Sequence, residues 1–283
     1  MRRLDAGRSD GRPVRQFHLH TPQARLDELR ARLAAGRSDQ PAPTGELAEL
    51  ADYWRAGFDW RAFEARINRF GQFSTEIGGT DIHLLHVRSP EPDARPLLLM
   101  QDWPDSFVAL LDVLGPLSDP RSFGADPSVA FHLIVPSLPG CGFSGPVPAD
   151  GWSASWLELA DRLGYRRPAG LLLTGPPEPP VRLGDGPLDH LAWLVGSAAV
   201  DEPSPDRDLL LACATVSWLS GSADQPGAPD RTALLTGEWT EHDHGGRFAA
   251  LRDPELFITE VRQLFTGQHV RAGRRGSAAA AVA

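Results

Sequence analysis

The chain contains no lysine. All 28 of its basic residues are arginine, which excludes the covalent chemistry that a lysine amine performs on carbonyl compounds. Alongside abundant Ala, Gly and Pro, this is the bias of a GC-rich, bacterial-type genome rather than a functional choice. Cysteine is scarce as well. Cys141 and Cys213 are the only two in 283 residues, and their wide separation fits a reduced, cytoplasmic protein without a disulfide framework. No apolar run approaches the roughly 20 residues of a membrane-spanning helix. Arg2-Arg3 leads into polar residues instead of an apolar segment, so neither a secretory nor a twin-arginine signal is expected. A formal net charge of −9 argues against nucleic acid and anionic membrane surfaces as partners. Gly78-Gly79, Gly175 and Gly245-Gly246 have no phosphate-binding spacing.

What is present points to an α/β protein. With 41% apolar residues, the chain can bury a substantial core. Thr21 and Pro22 read as a helix start, Leu26, Leu29 and Leu33 recur at helical spacing, and Gly36 ends the run. A second helix is expected over 46–56. A third runs from Trp60 to Asn68, with Trp60, Phe63 and Ile67 on one face. From Phe73 the period changes. Phe73–Ile77 and Ile82–Val87 flank Gly78-Gly79-Thr80-Asp81, a hairpin signal. Pro96–Met100 and Ala130–Val135 are short apolar runs suited to buried parallel strands, with a helix over 104–114 between them. A helix at Ser153–Leu163 and a strand at Gly170–Gly175 continue the alternation, which predicts an open, mostly parallel sheet.

The motifs within this pattern are specific. They run through Asp59-Trp60-Arg61, Glu64–Asn68, Phe73–Ile77, Ile82–Ser89, Trp103–Ser106 and Pro136–Gly145. Together they resemble the N-terminal half of the microsomal-type epoxide hydrolases, α/β-hydrolases that carry an N-terminal helical extension. The resemblance covers residues 14–170, and 183–265 in fragments. It implies an α/β-hydrolase-like, mostly parallel sheet with an N-terminal helical extension and a shortened helical lid. The implied division places disordered ends at 1–13 and 267–283 and the helical extension at 14–72. The core occupies 73–182 and 231–266, and a truncated lid 183–230.

In the resembled family an elbow aspartate attacks the epoxide carbon. A histidine held by an acid activates water against the resulting ester, and lid tyrosines hydrogen-bond the epoxide oxygen. This chain departs from each part. The strand ending at Gly175 runs into Pro176-Pro177-Glu178-Pro179-Pro180. Prolines cannot form the elbow helix, and no Asp occupies Thr174–Glu178. Arg247 stands in place of the base histidine, in a segment similar to the motif GGHFAA, and a guanidinium accepts no proton at neutral pH. His242 and His244 lie just upstream. Tyr53 and Tyr165, the only tyrosines, both fall outside the lid. On this resemblance the elbow helix and the next strand are missing. The strand at 170–175 is therefore expected to pair directly with a later one such as Thr232–Thr236, leaving a bare apolar sheet face for a partner chain, in a homo-oligomer, to cover.

At the family's HGWPGS position the chain has Gln101-Asp102-Trp103-Pro104-Asp105-Ser106. Asp102 and Asp105 are expected at the carboxyl end of a central strand, as general acid or base or as caps of the following helix. Candidate catalytic residues are thus Asp102, Asp105, His242 and His244. Gln101, Trp103, Phe143, Trp193, Trp218 and Arg247 are candidate ligand-binding residues, although a tryptophan is more often a core residue than a ligand platform. His83 and His86 sit in a family motif on a strand and read as structural. His242-Asp243-His244 beside Glu241 lacks a third metal partner, so neither metal nor cofactor is expected. Three functions remain open. One is an epoxide-hydrolase-like enzyme of specialised metabolism that opens a hydrophobic epoxide-bearing, oxygenated or aromatic ligand without an ester intermediate. The second is an inactive member that binds such a ligand or supports a partner. The third is an epoxide hydrolase with relocated catalytic groups.

Overall fold

Three helices pack ahead of the main sheet, each with one apolar stripe. In α1 (Gln23–Ala35) that stripe is Leu26, Leu29 and Leu33, and the helix closes at Gly36 (φ 59°), whose N–H donates to the Leu33 carbonyl. Thr21 does not cap α1. Its hydroxyl accepts from Trp60 Nε1 at 2.9 Å and its N–H donates to Glu64 Oε1 at 2.5 Å, so tertiary contacts claim the groups that local sequence assigns to a cap. α2 spans Glu46–Ala56 and α3 spans Trp60–Ile67, the latter capped by Asp59, which accepts from the Ala62 N–H. These assignments come from a computed structural model describing residues 13–36, 45–101, 106–148, 156–173, 184, 186–198, 205–221, 239–242 and 248–266.

Seven described strands form one sheet: β1 (Arg15–Phe17), β2 (Gln72–Ile77), β3 (Thr80–Val87), β4 (Arg95–Gln101), β5 (Phe131–Pro136), β6 (Ala169–Leu173) and β7 (Trp239–His242). Their spatial order is β1-β2-β3-β5-β4-β6-β7. The first three and the β3–β5 pair are antiparallel, while β5, β4, β6 and β7 run parallel. The β2–β3 turn is tighter than its four-residue signal suggested. Ile77 pairs with Thr80 across Gly78 and Gly79, both at positive φ (57° and 80°), the backbone that glycine supplies in a two-residue hairpin.

The segment after β4 differs from the expected single helix over 104–114. A 3₁₀ turn (Phe107–Leu110) leads into α4 (Leu111–Ser118), which continues through Gly115-Pro116. α5 (Trp156–Arg162) precedes β6, and α6 (Pro187–Ala198) and α7 (Arg207–Ser220) follow it. α8 (Ala249–Arg252) and α9 (Pro254–Thr266) close the described chain. Beside β6 lies Trp239–His242; Thr232–Thr236, the expected neighbour, falls outside the described residues.

Both faces of the central strands are covered. Leu97, Leu99, Leu171 and Leu173 pack with α4, α6 and α7, whereas Leu98, Met100 and Leu172 pack with α5. None of these seven is more than 1% exposed. The bare apolar face expected to recruit a partner chain is therefore not found among the described residues, because this one chain covers the strands on both sides.

The helical extension is fastened to the sheet by a buried polar chain. Asn68 brackets the Leu19 peptide, accepting from its N–H and donating to its carbonyl (3.0 and 2.8 Å), and accepts from Gln72 Nε2 at 2.7 Å. Gln72 Oε1 then takes His83 Nε2–H (3.1 Å), which leaves His83 Nδ1 to accept from the Ser137 hydroxyl (3.0 Å). A second tie joins α2 to α7, where Trp54 Nε1 donates to Thr215 Oγ1 at 3.0 Å.

This chain of bonds requires an uncharged imidazole. Burial pushes His83 down from 6.5 to about 3. Burial, with Arg88 and His132 nearby, pushes His86 down to about 4. Below about pH 6.5 the unfolded chain therefore binds protons that the folded chain refuses. Stability is full above that pH and declines as pH falls towards 4 for His86 and 3 for His83, at about 1.4 kcal/mol per pH unit for each. Urea midpoints at pH 7.5, 6.0 and 5.0 should fall in that order, and His86→Leu should shallow the decline. Equal midpoints at pH 7.5 and 5.0 would contradict neutral buried imidazoles.

Candidate functional site at the strand ends

The order of the sheet determines where a ligand can sit. From β4 the chain moves to β5 on one side; from β6 it moves to β7 on the other. The two connections part between β4 and β6, and such a switch point opens a crevice outside the carboxyl ends of the strands. Gln101 and Leu173 are paired at that edge, and Leu173 is paired in turn with His242. The ladder from β4 to β5 ends earlier, at Leu98–Ile134, while that to β6 continues to Gln101. The ends of β4, β6 and β7, at Gln101, Leu173 and His242, thus lie side by side. At the spacing of paired strands, the Gln101 and His242 Cα atoms stand roughly 10 Å apart.

Gln101 is the best-defined polar group there. It shares a sheet face with Leu97 and Leu99 by strand alternation, is only 5% exposed, and has no hydrogen-bond partner for Oε1 or Nε2 among the described residues. Burying an amide unpaired costs about 1–3 kcal/mol.

One wall beside this edge is rigid. The loop after β5 is held to the start of β3 by bonds from the Ser137 N–H to the His83 carbonyl (2.8 Å) and from the Gly145 N–H to the Asp81 carbonyl (2.7 Å). Ser144 Oγ accepts from the His83 N–H and donates to the Ser137 carbonyl (2.9 and 2.8 Å). Gly142 must be glycine: φ is 54°, and a Cβ would lie 2.5 Å from Ser137 Oγ. The loop presents Phe143 to Phe17, Phe107 and His83, with ring centroids 5.7, 6.0 and 5.4 Å away. Phe107 comes from the 3₁₀ turn that Ser106 caps by accepting from the Val108 N–H.

The remaining residues singled out from sequence are dispersed. Trp193 lies on α6 with its ring 6.2 Å from Phe248. Trp218 is a packing residue on α7, with the guanidinium groups of Arg25 and Arg32 over its ring at 4.7 and 5.9 Å. His242 is placed by its backbone in β7. Asp102, Trp103, Asp105, His244 and Arg247 lie outside the described residues. His86 hydrogen-bonds Tyr165 (2.9 Å), whose ring lies 5.4 Å from His132. His86 is level with Ile134 of β5, away from the carboxyl edge. The imidazoles of His83 and His86 are thus both paired with protein groups, as their structural reading expected. Sequence reading missed the partnership of His83 with Ser137, and also that of His190 on α6 with Ser217 on α7 (2.8 Å). The first is foreshadowed only by both residues falling in family motifs, the second by nothing local.

Comparison with known proteins gives this arrangement a context. Residues 14–110 match the family described as Epoxide hydrolase N terminus. That stretch of the chain is similar to the N-terminal region of epoxide hydrolases. A putative epoxide hydrolase from Stigmatella aurantiaca is 28% identical over 372 aligned positions, taking in 89% of this chain and 84% of that protein. Those positions outnumber the 283 residues here, so the relative has internal sequence without a counterpart. Epoxide hydrolase 1 of Sus scrofa is 30% identical over 54% of this chain, a match spanning only 38% of that enzyme. Among solved structures, an enantioselective mutant of the Aspergillus niger epoxide hydrolase superposes with a TM-score of 0.65 at 24% identity, covering 93% of this chain and 97% of that one. Juvenile hormone epoxide hydrolase from Bombyx mori gives 0.64 at 17%, covering 93% and 94%. These likenesses establish the α/β-hydrolase fold of the epoxide hydrolases.

Gln101→Leu removes the unpaired amide and keeps the volume. The unliganded variant should gain about 1–3 kcal/mol in urea denaturation. A loss of that size would show that the amide is paired.

Proposed function

We propose that this epoxide-hydrolase-like protein binds a hydrophobic, oxygenated ligand, epoxide-bearing or aromatic, at the carboxyl ends of β4 and β6, and opens it without an ester intermediate. The observation that carries the reading is Gln101: a buried amide without a described partner, at the switch point, immediately before Asp102. On this reading Asp102 or Asp105 gives a proton to the epoxide oxygen or takes one from the attacking group. Trp103, Phe143 and Trp193 supply apolar and aromatic surface, and Arg247 offers charge to an oxygen anion. No cofactor enters the scheme. The chemistry suits a step of bacterial natural-product biosynthesis in the cytoplasm.

A second reading, an inactive relative that binds the same ligand or supports a partner enzyme, is favoured by two features of the sequence. Thr174–Glu178 contains no aspartate, and Arg247 occupies the position of the base. A hydrolase with relocated groups would draw on His242 or His244 at the end of β7.

Incubation with aryl and polycyclic epoxides in ¹⁸O-labelled water, read by mass spectrometry, separates the three. The proposal expects consumption, with unlabelled isomer where opening is intramolecular. Asp102→Asn should then lower turnover about 10²- to 10⁴-fold while binding stays within a few-fold. A labelled diol that persists in Asp102→Asn and vanishes in His242→Ala would establish relocated hydrolysis. No consumption, with thermal stabilisation by a panel member, would establish a binding protein.

A further inference from the structure

The unpaired Gln101 amide restricts what can sit above it. The remainder of its sheet face is hydrocarbon: Leu97, Leu99, Leu171 and Leu173 all belong to the buried core beneath α4, α6 and α7. The Ser106 hydroxyl accepts from the Val108 N–H, the Ser137 hydroxyl pairs with His83 Nδ1 and the Ser144 hydroxyl with the Ser137 carbonyl, and none of them pairs with the Gln101 amide. Gln101 therefore presents a donor and an acceptor together, each shielded from solvent and unmatched among the described residues. An amide oxygen has two lone pairs and an amide nitrogen two hydrogens.

Epoxide and ether oxygens accept but do not donate. A ligand with such an oxygen alone would pair Nε2 and leave Oε1 desolvated and empty, keeping much of the cost already in the fold. A ligand that also carries an O–H beside its acceptor would pair both atoms. We infer that the site at Gln101 selects hydroxylated ligands, an epoxide or related oxygen heterocycle bearing a neighbouring hydroxyl group, over the same skeleton without it. This rests on the reading of the strand ends as a ligand site and adds the functional group recognised there. Selectivity of this kind is large because the hydroxyl-free analogue leaves a buried polar group unpaired, whereas an extra methylene changes affinity only modestly.

A matched pair of probes tests it. 3-Phenylglycidol and β-methylstyrene oxide share an aryl epoxide and differ in one hydroxyl. Titration calorimetry on the full chain should show 3-phenylglycidol binding at least about tenfold more tightly. Gln101→Leu should abolish that preference while still binding β-methylstyrene oxide; Gln101→Met serves if the leucine variant does not fold. Equal affinity of the two probes for the unmodified protein overturns the inference and leaves the ligand site intact. So does a preference that survives in the variants. If neither probe binds, the strand-end reading fails and this inference fails with it.

Discussion

One uncharged imidazole links the helical extension, the hairpin and the loop at the site. His83 donates to Gln72 and accepts from Ser137, and beyond Gln72 lies Asn68, which holds the Leu19 peptide. Lysine or arginine in its place would bring a charge into a site that pushes the imidazole down to about 3. An aliphatic residue would strand a hydroxyl and an amide, each at a cost comparable to the bond it lost. The same residue's main chain holds Ser137 and Ser144. The loop carrying Phe143 therefore has its shape only while the hairpin and the extension are docked.

The chain shares the α/β-hydrolase fold of the epoxide hydrolases, while its sequence has no aspartate in Thr174–Glu178 and an arginine at position 247. Those two properties are separable. The switch point arises from the order in which parallel strands are added, and that order survives as long as β4, β5 and β6 keep their helices on opposite faces. The nucleophile and base belong to the turns beyond the strands, which tolerate replacement without disturbing the sheet. β6 pairs directly with β7, and among the described residues this one chain covers both faces of the central strands. Gln101 fits the same account. Its amide is buried without a partner among the described residues, a cost to the fold that sheet packing alone does not require.

Sequence alone determined the periodic elements: the leucine stripe of α1, the Trp60–Ile67 face, the glycine hairpin and the apolar runs of β4 and β5. It also marked the strand ends as the place to look, since Gln101–Ser106 and Pro136–Gly145 are recognisable motifs. These features were legible because they depend on neighbours a few residues away. Tertiary structure decided the rest. Thr21 has the form of a helix cap, but Trp60 and Glu64 compete for it. Trp218 resembles a pocket residue, but Arg25 and Arg32 stack on it. Gln101 could have been paired or unpaired, and only the assembled fold leaves its amide without a partner among the described residues. A hydrogen bond between residues 54 positions apart, as between His83 and Ser137, leaves no periodic trace. Its energy depends on burial, and burial is a property of the assembled fold.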